Sequence, residues 1–382
     1  MAYTTIDDPS AHFQTLLYTG DGNDDRNLVN TGNSDLQPDW IWIKDRDNAR
    51  SHEIYDSSRG ATKRIQSDSN GAESTQANNL QAFQSDGFQI GSGNGVNQAS
   101  QTLVAWQWKA NGGTTTSNSS GSNGAEADSV YQVNNTAGFS IGTYTGGGGG
   151  TFNIAIYTGL SAACEAVIVK NRDASKDWAV GFGEKVSTSA ARYLSFNNND
   201  AAKSVGSNSS ERQQGAINVN NFGAGLFDVT SGGAGDDDVY ASGEKYVFYA
   251  FRSIKGYSKI GKYTGNGNAA GPYIHLGFKP RFIIIKGLER TSSWFLIDSA
   301  RDINSLGAAN TDGSADSQHQ QLFGEAADAE GTYNSTAGDF LANGYKLRAT
   351  SASTNTNGED YAYIAFAEHP FVSSEGTPTT AR

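Results

Sequence analysis

Two short segments place a carboxylate and a guanidinium three residues apart: Asp56 and Arg59 in YDSSRG, and Asp298 and Arg301 in IDSARD. Such a pair can clasp a polar ligand, or it can form a charge-assisted hydrogen bond that closes a turn. Phe182 and Lys185 stand at the corresponding positions of a third segment. The pair is therefore dispensable there, which favours the structural role. Trp40, Trp42, Trp106 and Trp108 crowd the first third of the chain, and Trp294 lies close before Asp298. A row of exposed indoles would suit stacking against the C–H faces of sugars, whereas alternation in a sandwich would put most of them inside. The candidate binding residues are thus Trp40, Trp42, Asp56, Arg59, Trp294, Asp298 and Arg301.

Metal and catalytic chemistry find little foothold. Asp21, Asn23 and Asp25 match the first liganding positions of a calcium loop, but Arg26 stands where glycine is required and Gly32 where the bidentate glutamate belongs. Asp236, Asp237 and Asp238 form an acidic run, and the five histidines lack zinc spacing. No metal or other cofactor is expected. The chain has no Gly-x-Ser-x-Gly elbow, no P-loop and no paired-cysteine motif, so the expectation is a non-enzymatic protein. A glycan hydrolase, which needs only two facing carboxylates, is the remote alternative.

The elements that position these residues recur three times. Tyr-Thr-Gly occurs at Tyr18–Gly20, Tyr144–Gly146 and Tyr263–Gly265. Apolar runs follow, ending at Lys44, Lys170 and Lys286, lysines expected to reach solvent or a carboxylate. His52, Trp178 and Trp294 come at one common distance past those lysines. Aromatic–glycine blocks follow at Phe83–Ile90, Phe222–Val229 and Phe340–Leu347, then closing strands at Val104–Trp108, Val247–Phe251 and Ile364–Glu368. Repetition of this length means three copies of one module. Short apolar runs, period-two alternation and glycine turns make each an antiparallel β-sandwich of jelly-roll or lectin-like type. The division expected is an N-terminal arm (1–11), repeat 1 (12–110), a flexible Gly/Ser/Thr/Asn-rich linker (111–137), repeat 2 (138–254), repeat 3 (255–371) and a C-terminal tail (372–382).

Composition agrees. Glycine is abundant (46 residues), proline scarce (6) and charged residues only 18%, which suits an all-β chain rather than a helical one. The net charge of −12 offers no basic patch for nucleic acid or an anionic membrane surface. No apolar stretch reaches membrane-span length. The N-terminus has neither the basic nor the apolar region of a signal peptide, so synthesis in a cytoplasm is expected. Cys164, the single cysteine, reads as a buried, inert thiol.

The opening MAYTTIDDPSAHFQ, the blocks LQPDWIWIKDRDNARSHEIYDSSRG and FQSDGFQIGSGNGVNQ, and the closing VAWQWKANGG resemble a family of virion structural proteins of marine tailed bacteriophages. GYSKIGKYTGNG, LGFKPRFIIIK and YIAFAEHPFVSSEG carry the resemblance through the last repeat. The second repeat keeps EAVIVKNRD but departs at Gly146–Gly150 and around Phe182. The resemblance implies a virion structural protein. The repeated lectin-like modules then suggest a surface-exposed tail-fibre or spike component that binds the host surface, with a head decoration or tail adaptor protein as the alternative. Its implied partners are other virion proteins and a host surface glycan, with a trimer of chains expected by analogy.

Overall fold

A computed structural model describes residues 3–119, 127–147, 154–183, 192–204, 216–223, 225–230, 239–301, 319–333, 336 and 338–379. The chain is almost entirely β, in antiparallel sheets. Strands β1 (Phe13–Thr19), β2 (Arg26–Leu28), β3 (Trp40–Asp45), β4 (Glu53–Asp56), β5 (Lys63–Arg64), β6 (Ser74–Thr75), β7 (Leu80–Gln84), β8 (Gly87–Ile90) and β9 (Thr102–Trp108) come first. Next are β10 (Thr116–Asn118), β11 (Ser129–Asn134), β12 (Phe139–Thr145), β13 (Ile154–Tyr157), β14 (Ala166–Asn171), β15 (Ala179–Phe182), β16 (Arg192–Ser195), β17 (Lys203–Ser204), β18 (Ala216–Gly223), β19 (Leu226–Thr230) and β20 (Lys245–Phe251). The last are β21 (Ser258–Thr264), β22 (Tyr273–His275), β23 (Phe278–Gly287), β24 (Phe295–Asp298), β25 (His319–Phe323), β26 (Gly331–Tyr333), β27 (Gly338–Leu341), β28 (Gly344–Leu347) and β29 (Asp360–Pro370).

One four-strand order recurs: β1-β9-β3-β4, β12-β20-β14-β15 and β21-β29-β23-β24. Each of these sheets faces a three-stranded one, β2-β8-β7, β13-β19-β18 and β22-β28-β27. Leu16, Ile41, Ile43 and Ala105 of the first large sheet meet Leu28, Leu80, Phe88 and Ile90 of its small partner. Val167, Val169 and Phe248 meet Ile154, Ile156, Phe227 and Val229 in the second pair. Ile283, Ile285 and Tyr363 meet Ile274, Phe340, Tyr345 and Leu347 in the third.

The Tyr-Thr-Gly motif has a structural cause in all three places. The hydroxyls of Tyr18, Tyr144 and Tyr263 donate to the carbonyls of Val96 (2.7 Å), Val239 (2.6 Å) and Thr354 (2.8 Å), each just ahead of a closing strand. A Cβ on Gly20, Gly146 or Gly265 would overlap the carbonyl oxygen of Gln98, Ala241 or Thr356 in that same segment. Only glycine permits so close a backbone approach.

The opposite faces of the three large sheets meet one another. Trp40, Trp42, Trp106 and Trp108 join Phe139, Ile168, Tyr249 and Phe251 with Phe282, Ile284, Ile364 and Phe366 in one central cluster. Trp40 stacks on Trp108 (4.2 Å between ring centroids) and on Tyr249 (4.5 Å), and Trp106 lies 5.0 Å from Phe282. Both faces of each large sheet are therefore covered, which is why β3 and β14 are buried at every residue.

One expectation changes. The stretch 111–137, read as a linker, contains β10 and β11, which add to the edge of the second large sheet through β12. Edge strands with an exposed face carry polar side chains, so their composition imitates a linker. The N-terminal arm and C-terminal tail are held by the chain itself. Ile6 enters the central cluster, Tyr3 donates to Gly277 O (2.9 Å), and Asp7 accepts the backbone N–H of Ser374 (2.6 Å) as well as its hydroxyl.

Candidate functional site

The acid–arginine pairs sit where neighbouring sheet pairs meet. Asp56 ends β4, and its Oδ1 accepts the Arg59 backbone N–H (2.9 Å), closing the turn. Its Oδ2 accepts Arg59 Nε at 2.5 Å and the hydroxyl of Tyr249, from the second sheet pair, at 2.7 Å. Arg59 continues to Glu73 (3.0 Å), which also receives Arg172 Nε of the second pair (2.9 Å). The third-to-first seam repeats this plan. Asp298 accepts Arg301 N (2.8 Å), Arg301 Nε (2.5 Å) and Trp106 Nε1 of the first pair (3.0 Å). Arg301 reaches Glu330 (2.6 Å), and Arg46 of the first pair donates to the same carboxylate from Nε (2.9 Å).

Burial opposes the charge on both buried guanidiniums. The carboxylates of Asp56 and Glu73, and of Asp298 and Glu330, outweigh it and raise the arginine pKa values above the ordinary one. Burial would raise Glu73, but its bonds to Arg172 and Arg59 hold it below the usual carboxylate range.

The second-to-third seam is built differently. Phe182 pairs with Ala166 as Asp56 pairs with Trp40 and Asp298 with Phe282. Ile364 pairs with Ile284 as Trp106 pairs with Trp42 and Tyr249 with Ile168. Where the acid is replaced by phenylalanine, the side chain at the facing position offers no donor. Both residues lie in the central cluster, with Leu288 at the place of Arg46 and Arg172. A buried donor facing an apolar ring would be unsatisfied, so the two positions must change together.

The other repeated residues also bridge the seams. Trp178 Nε1 donates to Gln66 O (2.9 Å), and Trp294 Nε1 to Ser195 O (3.0 Å). His52 Nε2 lies 2.9 Å from Phe323 O and 3.1 Å from Ala326 O. The three strand-ending lysines do not reach solvent as expected. Lys44 bonds Asp45 O (2.6 Å), Lys170 bonds Asn171 O, Lys176 O and Asn70 O (2.9–3.1 Å), and Lys286 bonds Ser292 O, Asp200 O and Asn199 O (2.6–3.1 Å). Burial pulls Lys44 and Lys286 down to about 8, so both still carry the protons those carbonyls accept at neutral pH. Backbone bonds complete the pattern: Glu73 N to Arg172 O, Ala202 N to Leu288 O and Glu330 N to Arg46 O.

The seven sequence-derived candidates therefore all lie inside. Trp40, Trp42, Asp56, Trp294, Asp298 and Arg301 are at most 2% exposed, and Arg59 is 8% exposed. None forms an accessible ledge or clasp, because the outer face of each large sheet is covered by its neighbours. Their partners Tyr249, Glu73 and Glu330 were missed by sequence reasoning, and Trp106 was read as a core or stacking indole rather than as a donor to Asp298. The available signal was the joint change from Asp56/Tyr249 and Asp298/Trp106 to Phe182/Ile364.

Asp21 and Asn23 form a turn in which Asp21 accepts Asn23 N (2.9 Å) and is pinned by the buried Asn97 (3.1 Å). Asp236, Asp237, Asp238 and Lys185 lie outside the described residues. Among the described residues no group of three or more His, Cys, Asp or Glu is placed to hold a metal ion. Cys164 is buried, and burial raises its pKa.

One open concavity occurs among the described residues of the second sheet pair. It measures about 320 Å³ and is lined by residues of β10, β11 and β12 together with Asp128, Arg172 and Lys245.

The molecule is thus an all-β protein whose paired antiparallel sheets close around a shared aromatic centre. The chain belongs to the family described as a domain of unknown function (DUF7483), whose model matches residues 8–370. That match spans all three sheet pairs. No curated protein matches the chain. No solved structure matches it.

Proposed function

We propose that this chain is a non-enzymatic structural protein of a bacteriophage particle. It is made in the host cytoplasm and exposed on the virion as a tail-fibre or spike component that binds the host surface in a lectin-like way. One observation carries the non-catalytic part: the repeated acid–arginine pairs, lysines and ring N–H groups are engaged in holding the seams. The resemblance of the DWIWIK, YDSSRG and VAWQWKANGG blocks to marine phage virion proteins supports the setting. Other virion proteins are the proposed partners. A trimer of chains would add a second level of assembly to a ring that one chain already closes. Nucleic acid and membrane insertion have no part in this reading.

The second reading is a head decoration or tail adaptor. The contact of Asp7 with Ser374 favours it, because it brings both terminal segments to one place, where a single mounting face would lie. Cryo-EM of intact particles with quantitative mass spectrometry separates the two. A few to a few tens of copies at the tail is the expected result; hundreds over the head would establish the decoration reading instead. Release of reducing sugar from host envelope, lost on mutating one acidic pair, would overturn the non-enzymatic reading.

A further inference from the structure

The second large sheet is the one that carries extra strands beyond β12, and the concavity lies where β10 and β11 extend it. The face of β12 that supplies Phe139 and Ile141 to the central cluster continues outward as Thr143 and Thr145. Hydroxyls therefore line the open end of an otherwise apolar face. On the same face Ser117 pairs with Val130 and Val130 with Thr143, so a hydroxyl of β10 and an apolar side chain of β11 complete the groove wall.

Lys245 is exposed on the rim and has no ion pair among the described residues. The positions matching it in register on the other closing strands are satisfied: Thr102 donates to Asp47 (2.9 Å), and Asp360 accepts Lys262 (2.7 Å). The other cation, Arg172, is already bound to Glu73, so Lys245 carries the free charge.

We infer that this groove binds a carboxylated saccharide, a uronic or related acidic sugar. Lys245 takes the carboxylate, Ser117, Thr143 and Thr145 take ring hydroxyls, and Val130 lines the wall beside the ring C–H groups. The volume of about 320 Å³ sits at the lower end of the ~300–1,000 Å³ of small-ligand sites, enough for roughly one or two sugar rings. This inference rests on the lectin-like reading and gives it a location and a ligand class.

The test uses the full chain and two probes, methyl glucuronoside and the neutral methyl glucoside, followed by saturation-transfer NMR and titration calorimetry. The acidic sugar should bind on the order of 5- to 10-fold more tightly at low salt, with the gap closing as salt screens the rim charge. Lys245→Ala should abolish the gap. Thr143→Val should weaken both sugars several-fold, since it removes a hydroxyl from the groove face. Equal binding of both probes, or binding unchanged in Lys245→Ala, overturns the assignment. A wider glycan screen tells the two failures apart: binding of a host glycan indifferent to Lys245→Ala sinks this groove alone, and binding of none sinks the lectin-like reading with it.

Discussion

His52 shows what one seam demands of one side chain. Its Nδ1 accepts the Trp42 indole N–H at 2.7 Å, so the proton sits on Nε2 and points at Phe323 O and Ala326 O. Protonating Nδ1 would set two N–H groups against each other. Burial pushes the pKa down to about 4; nearby Asp68 resists this and Lys44 adds to it. Between the unfolded value near 6.5 and about 4, the unfolded chain takes up a proton that the folded chain refuses. Stability should therefore fall as pH drops through that window, by on the order of 3 kcal/mol in total. His52→Gln should flatten that part of the profile in denaturant unfolding between pH 7 and 4.5; a profile parallel to wild type would refute the tautomer. The Asp56–Arg59 pair yields a second expectation. Asp56→Ala strands a buried guanidinium and should cost about 3–5 kcal/mol. Tyr249→Phe removes one hydrogen bond to a charged group and should cost about 1.5–3 kcal/mol. Equal losses in urea unfolding would mean that Asp56 does not hold the arginine charge. The recurrence of Asp56/Arg59 and its replacement by Phe182/Lys185 were legible from sequence and pointed to structure over ligand. The facing donors lie roughly 190 residues away, and no local spacing predicts such partners.

At the scale of elements, the continuous apolar run is the clearest signal in the chain. β3 and β14, and the Phe282–Ile285 stretch of β23, stand at the middle of their sheets with both faces covered. Period two divides the labour: Ile283 and Ile285 enter the third sandwich, while Phe282 and Ile284 enter the central cluster. Ile283→Asp and Ile284→Asp should therefore each cost several kcal/mol, because each buries an unpaired carboxylate. Thermal melts decide it. A tolerated Ile284→Asp would mean that the face toward the central cluster is open. Opposite cases explain what the sequence concealed. β10 and β11 are polar because one face meets solvent, and a strand stabilised by backbone pairing at an edge leaves little trace in side-chain composition. The third closing strand shows a related shift. Pairing sets Phe366 against Phe282 as Trp108 sits against Trp40, so Ala362–Phe366 is the segment matching Val104–Trp108.

For the whole molecule, the shared centre predicts cooperativity. Three independent sandwiches on linkers would unfold separately, whereas sheets that share Trp40, Tyr249 and Phe366 in one cluster must lose it together. Calorimetry should show a single transition whose van't Hoff and calorimetric enthalpies agree; resolved transitions would mean that the centre contributes little. The same geometry predicts that residues 12–110 expressed alone would expose Trp40, Trp42, Trp106 and Trp108 and aggregate. The sequence by itself determined the all-β class, the threefold recurrence of its blocks and the burial of the apolar strands, because periodicity and turn residues act over a few residues. Tertiary structure decided which faces those strands cover, that the charged pairs serve seams rather than ligands, and that the supposed linker folds back. Those outcomes depend on contacts between residues up to hundreds of positions apart. A sheet with both faces apolar looks the same along the chain whatever covers its second face.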